Sequence, residues 1–231
     1  MLRLGVTGTD TGVGKTVVAS AVLALLRKRG FRVAAMKPVE TGAERGDPES
    51  DAVRLGRAAG ARLTPEDICP VMLADRLAPM AAAARAGIEI DLAAIDHAFE
   101  RLSAGRDAVV IESDGGLLAP ISARTAFDDL FRHWRLDALI VAANRLGAIN
   151  HTMLTVEAAR SAGLRVRAVV LNAMHGGPPS LAEETNEATL RALLADVAIV
   201  SFPWMSDPRD AAALADTVDD CGLSALLDVI D

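Results

Sequence analysis

Short apolar runs alternate with longer stretches of helical period along this chain. The runs are Leu2 to Thr7, Arg32 to Met36, Asp107 to Ile111, Asp137 to Ala143, Val166 to Leu171 and Val197 to Phe202. Most are apolar nearly throughout, which predicts strands buried on both faces of a parallel sheet rather than half-exposed ones. Between them, helical spacing runs over Thr16 to Arg29, Leu92 to Leu102, Ala126 to Trp134, Asn150 to Ala162 and Leu181 to Leu194. Two of these close on a glycine suited to a left-handed cap, in Lys28-Arg29-Gly30 and Ser161-Ala162-Gly163. Such alternation calls for right-handed crossovers, hence an α/β fold: a doubly wound, mainly parallel sheet with helices on both faces. No repeat, low-complexity tract or linker divides the chain, so residues 1–231 are read as a single domain. Gly42 to Pro48 reads as a flexible loop, and Ser206 to Asp231 as a loop with one or two short helices.

Composition narrows the picture. Of the 231 residues 51% are hydrophobic and 24% charged, which is globular and leaves room for a core needing no disulfides or metals. Two cysteines cannot form a disulfide framework and point to a reducing compartment. No apolar leader follows a basic start, and no apolar run approaches the roughly 18 residues of a membrane span. A cytoplasmic protein without a membrane partner is expected. A net charge of −7 suits a nucleic acid backbone poorly, and 3% aromatics without a tyrosine offer no stacking platform. No nucleic acid partner is expected.

The chemistry begins directly after the first strand, with Gly8-Thr9-Asp10-Thr11-Gly12-Val13-Gly14-Lys15-Thr16 leading into a helix. Strand, glycine-rich turn, Gly-Lys-Thr and helix make the setting of a phosphate-binding loop, so the fold is read as P-loop NTPase-like. The strict pattern places a glycine five residues before Gly14; here that residue is Thr9, and Gly8 stands one position earlier. Thr11, Gly12, Val13, Gly14, Lys15 and Thr16 are therefore the candidate nucleotide-binding residues. Lys15 would reach the β- and γ-phosphates of ATP, and the Thr16 hydroxyl would bind Mg²⁺.

Further elements follow in order. They are Met36-Lys37-Pro38-Val39-Glu40-Thr41-Gly42, Ser50-Asp51-Ala52, Gly147-Ala148-Ile149-Asn150-His151-Thr152-Met153-Leu154-Thr155, Asn172, and Phe202-Pro203-Trp204. With the opening loop, this ordered set resembles the dethiobiotin synthetases across residues 2 to about 205. The resemblance implies an ATP-dependent ring closure in biotin synthesis: an amine of 7,8-diaminononanoate captures CO₂ as a carbamate. The carbamate oxygen attacks the γ-phosphate, and the second amine closes the ureido ring with loss of phosphate. It also implies a homodimer with the substrate site between subunits.

On that reading Lys15 and Lys37 stabilise charge during phosphoryl transfer, and Thr41 binds the carbamate or the substrate amine. Gly147, Ala148 and Asn150, at a helix start, would receive the partner subunit's substrate carboxylate. Thr16, Asp51 and Glu112 would hold Mg²⁺. Asn172, with Pro203 and Trp204, would contact adenine. The plainer readings are a solvated strand-end lysine for Lys37, a helix-start acid for Asp51, and core packing for Phe202 and Trp204. His151 is read as structural or dimer-related. His97, His133 and His175 lack metal-site spacing.

One departure stands out. Where the family commonly has Glu-Gly-Ala-Gly-Gly, this chain reads Glu112-Ser113-Asp114-Gly115-Gly116. The glycine pair predicts a turn that ends strand alternation before Asp114, so its carboxylate is expected to face loop backbone or solvent, away from a metal. Two rival functions share the loop: a regulatory P-loop ATPase switch, and an amide-forming ligase of the same superfamily.

Overall fold

The computed structural model describes residues 1–60 and 63–227. The chain opens with β1 (Leu2–Gly8), α1 (Lys15–Lys28), β2 (Val33–Met36), β3 (Val39–Thr41) and α2 (Asp51–Ala59). It continues through α3 (Pro65–Ile68), β4 (Val71–Leu73), α4 (Pro79–Ala86), α5 (Leu92–Ser103), β5 (Ala108–Gly116) and α6 (Phe127–His133). The last part holds β6 (Asp137–Ala143), α7 (Ala148–Ser161), β7 (Val166–Asn172), α8 (Leu181–Leu193), β8 (Ala198–Phe202) and α9 (Ala211–Asp220).

All six predicted strands pair in one parallel sheet, ordered β2-β5-β1-β6-β7-β8. Two apolar layers cover it. On one face Val18, Val22 and Leu25 of α1, Leu55 of α2, and Leu214 and Val218 of α9 are buried against it. On the other are Ile95 and Phe99 of α5, Phe127 and Phe131 of α6, Val156 of α7 and Leu190 of α8. Aliphatic side chains dominate both layers, as the low aromatic content requires.

Three features differ from the sequence reading. β3 and β4 form a separate two-stranded parallel sheet, each strand three residues long. α3 and α4 fall outside the helical stretches that the sequence shows, whereas residues 42–48 carry no helix or strand, as expected of a loop, with Arg45 donating to the carbonyls of Cys69 and Pro70. β5 does not stop at Ile111 but runs to Gly116. Its register against β1 jumps, from Val6 opposite Glu112 to Gly8 opposite Gly116, with Gly115 at φ 78. A glycine there lets the strand kink and continue rather than turn away. The C-terminal region forms α9 and a short 3₁₀ turn at Leu223–Leu226; residues 228–231 of that expectation lie outside the described residues.

Candidate active site

The chain leaves β1 toward β2 and β5 on one side and later returns to β6 on the other, so β1 sits at the switch point of the sheet. Crevices form outside the C-terminal strand ends at such points. There Gly14 caps α1 at φ 94, and a Cβ on it would lie 2.1 Å from Nδ2 of Asn172. Only glycine fits. The Asn172 amide also donates to the Val13 carbonyl at 3.0 Å, pinning the loop to the end of β7. The Val13 side chain is core.

A cavity of about 700 Å³ opens beside this loop. Thr11, Gly12, Gly14, Lys15, Thr16, Lys37, Thr41, Asp51 and Glu112 all line it, so most of the candidate residues converge. Lys37 reaches in from the end of β2 and Thr41 from the end of β3. Asp51 begins α2, whose N-cap Ser50 accepts from Val53 N. Glu40 fixes that helix end further: its two carboxylate oxygens accept from the amides of Asp51 at 2.6 Å and Ala52 at 3.0 Å.

The charges interlock. Lys37 Nζ donates to Glu112 Oε1 at 2.6 Å, to Asp51 Oδ2 at 2.8 Å and to the Ser113 carbonyl at 3.4 Å. Burial works against its charge, but Glu112, Asp51 and Asp114 outweigh it and hold Lys37 well above the ordinary lysine value. Burial raises Glu112 to about 7 despite Lys37. Asp51, more open to water, is pushed up by burial but ends below its usual value, because Lys37 and the Thr16 hydroxyl hold its charged form. Lys15 is lowered, first by burial and then by the neighbouring Lys37. Its Nζ donates to the Asp10 carbonyl at 3.0 Å.

The donor set fits Mg²⁺. Thr16 Oγ1 lies 2.8 Å from Asp51 Oδ1 and 2.9 Å from Glu112 Oε1. A hydroxyl has one proton, so one of these contacts sets two oxygens against each other. Glu112 Oε2 is buried without a partner. Hard oxygens left in want of a cation suit Mg²⁺. Among the described residues no three His, Cys, Asp or Glu side chains are placed to hold a metal, so phosphates and water would have to complete such a shell.

Residues 3–207 match a family described as an AAA domain. A protein of Anaeromyxobacter dehalogenans (strain 2CP-C), named ATP-dependent dethiobiotin synthetase BioD, is 44% identical over 218 residues, 93% of this chain and 96% of that one. Proteins of the same name are 39% identical in Xanthomonas oryzae pv. oryzae (strain PXO99A), over 90% and 93% of the two chains. In Thermodesulfovibrio yellowstonii identity is 34%, over 87% and 88%. The chain belongs to the dethiobiotin synthetase family. Among solved structures, the cell division ATPase MinD of Pyrococcus furiosus superposes with a TM-score of 0.56 at 17% identity, covering 95% of this chain and 99% of that one. Apo McdA of Cyanthece gives 0.53, also at 17%, over 98% and 95%. At that identity the likeness is one of fold.

Within this synthetase fold the other candidates lie apart from the main cavity. Asn172, Pro203 and Trp204 gather at the neighbouring ends of β7 and β8, where Asn172 pairs with Phe202 and the half-exposed Trp204 indole lies against Gly176. Gly147 caps α7 with Ala148 and Asn150 in its first turn, outside this cavity.

The structure corrects the expectation for Asp114. Because β5 continues past it, the carboxylate faces the cavity instead of loop backbone or solvent. It accepts from Thr41 Oγ1 at 2.7 Å and stands 3.8 Å from Lys37 Nζ. Arg54, Arg76 and Glu40 were also not legible as site residues; Arg54 and Arg76 line the cavity from α2 and the loop before α4. Among the described residues no helix is long and apolar enough to cross a membrane.

Proposed function

We propose that this chain catalyses ATP-dependent dethiobiotin formation from 7,8-diaminononanoate and CO₂ in biotin biosynthesis. The observation that carries this reading is convergence: Lys37, Thr41 and Asp51, all outside the phosphate loop, share one cavity with Lys15 and Thr16. A nucleotide switch needs the loop but no such second set of groups.

In this mechanism the chain mainly positions substrates and neutralises charge, as phosphoryl transfer requires. The phosphate loop and the start of α1 receive the ATP phosphates. Lys15 leaves the Asp10 carbonyl for the β- and γ-phosphates. Lys37 stands where the carbamate oxygen meets the γ-phosphate, its charge kept by the surrounding carboxylates. Thr16, Asp51 and Glu112 would hold Mg²⁺, which when bound supplies further neutralisation of the transferring phosphoryl group. Asn172, Pro203 and Trp204, gathered at the ends of β7 and β8, would seat adenine.

We further read the chain as a cytoplasmic homodimer. Leu146 just before α7, Leu154 within it and Leu181 at the start of α8 stand 88%, 62% and 80% exposed, apolar side chains that a second copy would cover. Gly147, Ala148 and Asn150, at the start of α7, would then receive the partner's substrate carboxylate.

Incubation with diaminononanoate, bicarbonate and Mg-ATP tests the function, with dethiobiotin read by mass. Phosphate release that requires the diamine and bicarbonate together is the expected result. ATP turnover indifferent to both would point to a switch, and a demand for ammonia or glutamine to an amide-forming ligase.

A further inference from the structure

Resting on that function, we propose that Thr41 and Asp114 form an acceptor-only seat for an alkylammonium group of the diamine. Thr41 Oγ1 spends its one proton on Asp114 Oδ2 at 2.7 Å. Its remaining lone pairs can only accept. Asp114 Oδ1 lies 3.8 Å from Lys37 Nζ, beyond hydrogen-bond reach. Lys37 cannot close that gap without loss, because its three N–H groups already go to Asp51, Glu112 and the Ser113 carbonyl. The Asp114 side chain is 16% exposed, and both residues line the cavity.

Charge selects the occupant. Lys15, Arg54 and Arg76 also line the cavity, but among the described residues none of them pairs with Asp114, and Lys37 stands 3.8 Å from it while bonded to Asp51 and Glu112, so Asp114 keeps an oxygen open to a further cation. Among the proposed reactants ATP and the carbamate are anions and CO₂ is neutral. Apart from Mg²⁺, which Thr16, Asp51 and Glu112 would hold, only the diamine brings a cation. Thr41 was open to either the carbamate or the amine on sequence grounds; with its proton given to Asp114 it takes the amine.

Two variants test it. Asp114→Asn keeps a carbonyl oxygen for the Thr41 hydroxyl but removes the charge, and Asp114→Ala removes both the charge and the acceptor. Both should raise the KM for the diamine about tenfold, the size of one charge-assisted hydrogen bond, while the KM for ATP and the Mg²⁺ requirement stay within about twofold. Calorimetric titration of diaminononanoate into protein holding Mg²⁺ and a non-hydrolysable ATP analogue should weaken by the same factor. An unchanged diamine KM in both variants would overturn the seat. So would a shift that falls on ATP or Mg²⁺ instead, which would make Asp114 a metal-side residue. Absence of dethiobiotin with the unsubstituted chain would overturn the proposed function and this inference with it.

Discussion

The stretch over which the neighbouring strands β2 and β5 pair carries an ion pair at each end, and the two pairs differ in nearly every property. At the start, Arg32 binds Asp107 through Nε, Nη2 and its backbone amide, at 3.0, 2.8 and 2.8 Å. Five residues further along each strand, Lys37 meets Glu112 at 2.6 Å. Arg32 is 67% exposed and Asp107 32%; Lys37 and Glu112 are each 1% exposed. Asp107 is held down to about 2, first by the Arg32 side-chain hydrogen bond and then by the Arg32 amide. Glu112, with an equally close cation, is raised to about 7 by burial. Pairing alone therefore does not decide the state of a carboxylate; access to water does. A protein gains little from a charge cluster that burial opposes, so the costly end of the sheet is where function is expected.

The comparison breaks most readily at Lys37. Lys37→Met should remove the cation shared by Glu112 and Asp51 and leave buried carboxylates uncompensated, a loss of about 3–5 kcal/mol in denaturant unfolding. Dethiobiotin formation should fall at least on the order of 10²-fold. Added Mg²⁺ should restore more stability to the variant than to the parent chain, because it supplies the missing positive charge. A loss below about 1 kcal/mol would mean the buried pair is as weakly coupled as a surface one.

Lys15→Gln sharpens the same contrast. Lys15 is buried too, yet its Nζ bonds only the Asp10 carbonyl and joins no ion pair among the described residues. A lysine without an ion pair is what the proposed role toward phosphate requires. The variant should keep the thermal midpoint of the parent within a few degrees while turnover drops on the order of 10²-fold or more. Near-normal turnover in a folded variant would remove Lys15 from phosphoryl transfer.

How legible these groups were in the sequence follows from how local their causes are. The six main strands stood out because a strand buried on both faces is an apolar run. β3 and β4 did not, since three residues such as Val39-Glu40-Thr41 are too few to show a period. The phosphate loop was legible because its residues are contiguous and its glycines answer local needs. Lys37 and Asp51 were found through family resemblance, for their meeting depends on β2 and α2 folding back over the same strand end. Glu40 stayed hidden because its task, receiving the Asp51 and Ala52 amides, exists only once α2 is in place. Asp114 was misjudged because a glycine pair ordinarily marks a turn, whereas here Gly115 absorbs a register jump within β5.

The smallest effect is expected at the opposite end of these strands. Asp107→Asn removes a carboxylate that accepts three hydrogen bonds from Arg32, a geometry better than that of many buried pairs. Water already solvates both partners, so the midpoint of thermal unfolding at neutral pH should fall by about 2 °C or less, and less still in ~1 M salt. The sign of the pH dependence follows from the lowered value. The folded state holds the ionised form more tightly than the unfolded chain, so the contribution is complete above the ordinary aspartate value of 3.8 and fades as pH falls toward about 2. The gap between parent and variant should therefore stay level from about pH 8 to pH 5 and narrow between about pH 4 and pH 3. Thermal scans of both proteins across that range decide it. A fall of many degrees, or a gap that widens in acid, would show that this end of the sheet depends on its charges as the buried end does.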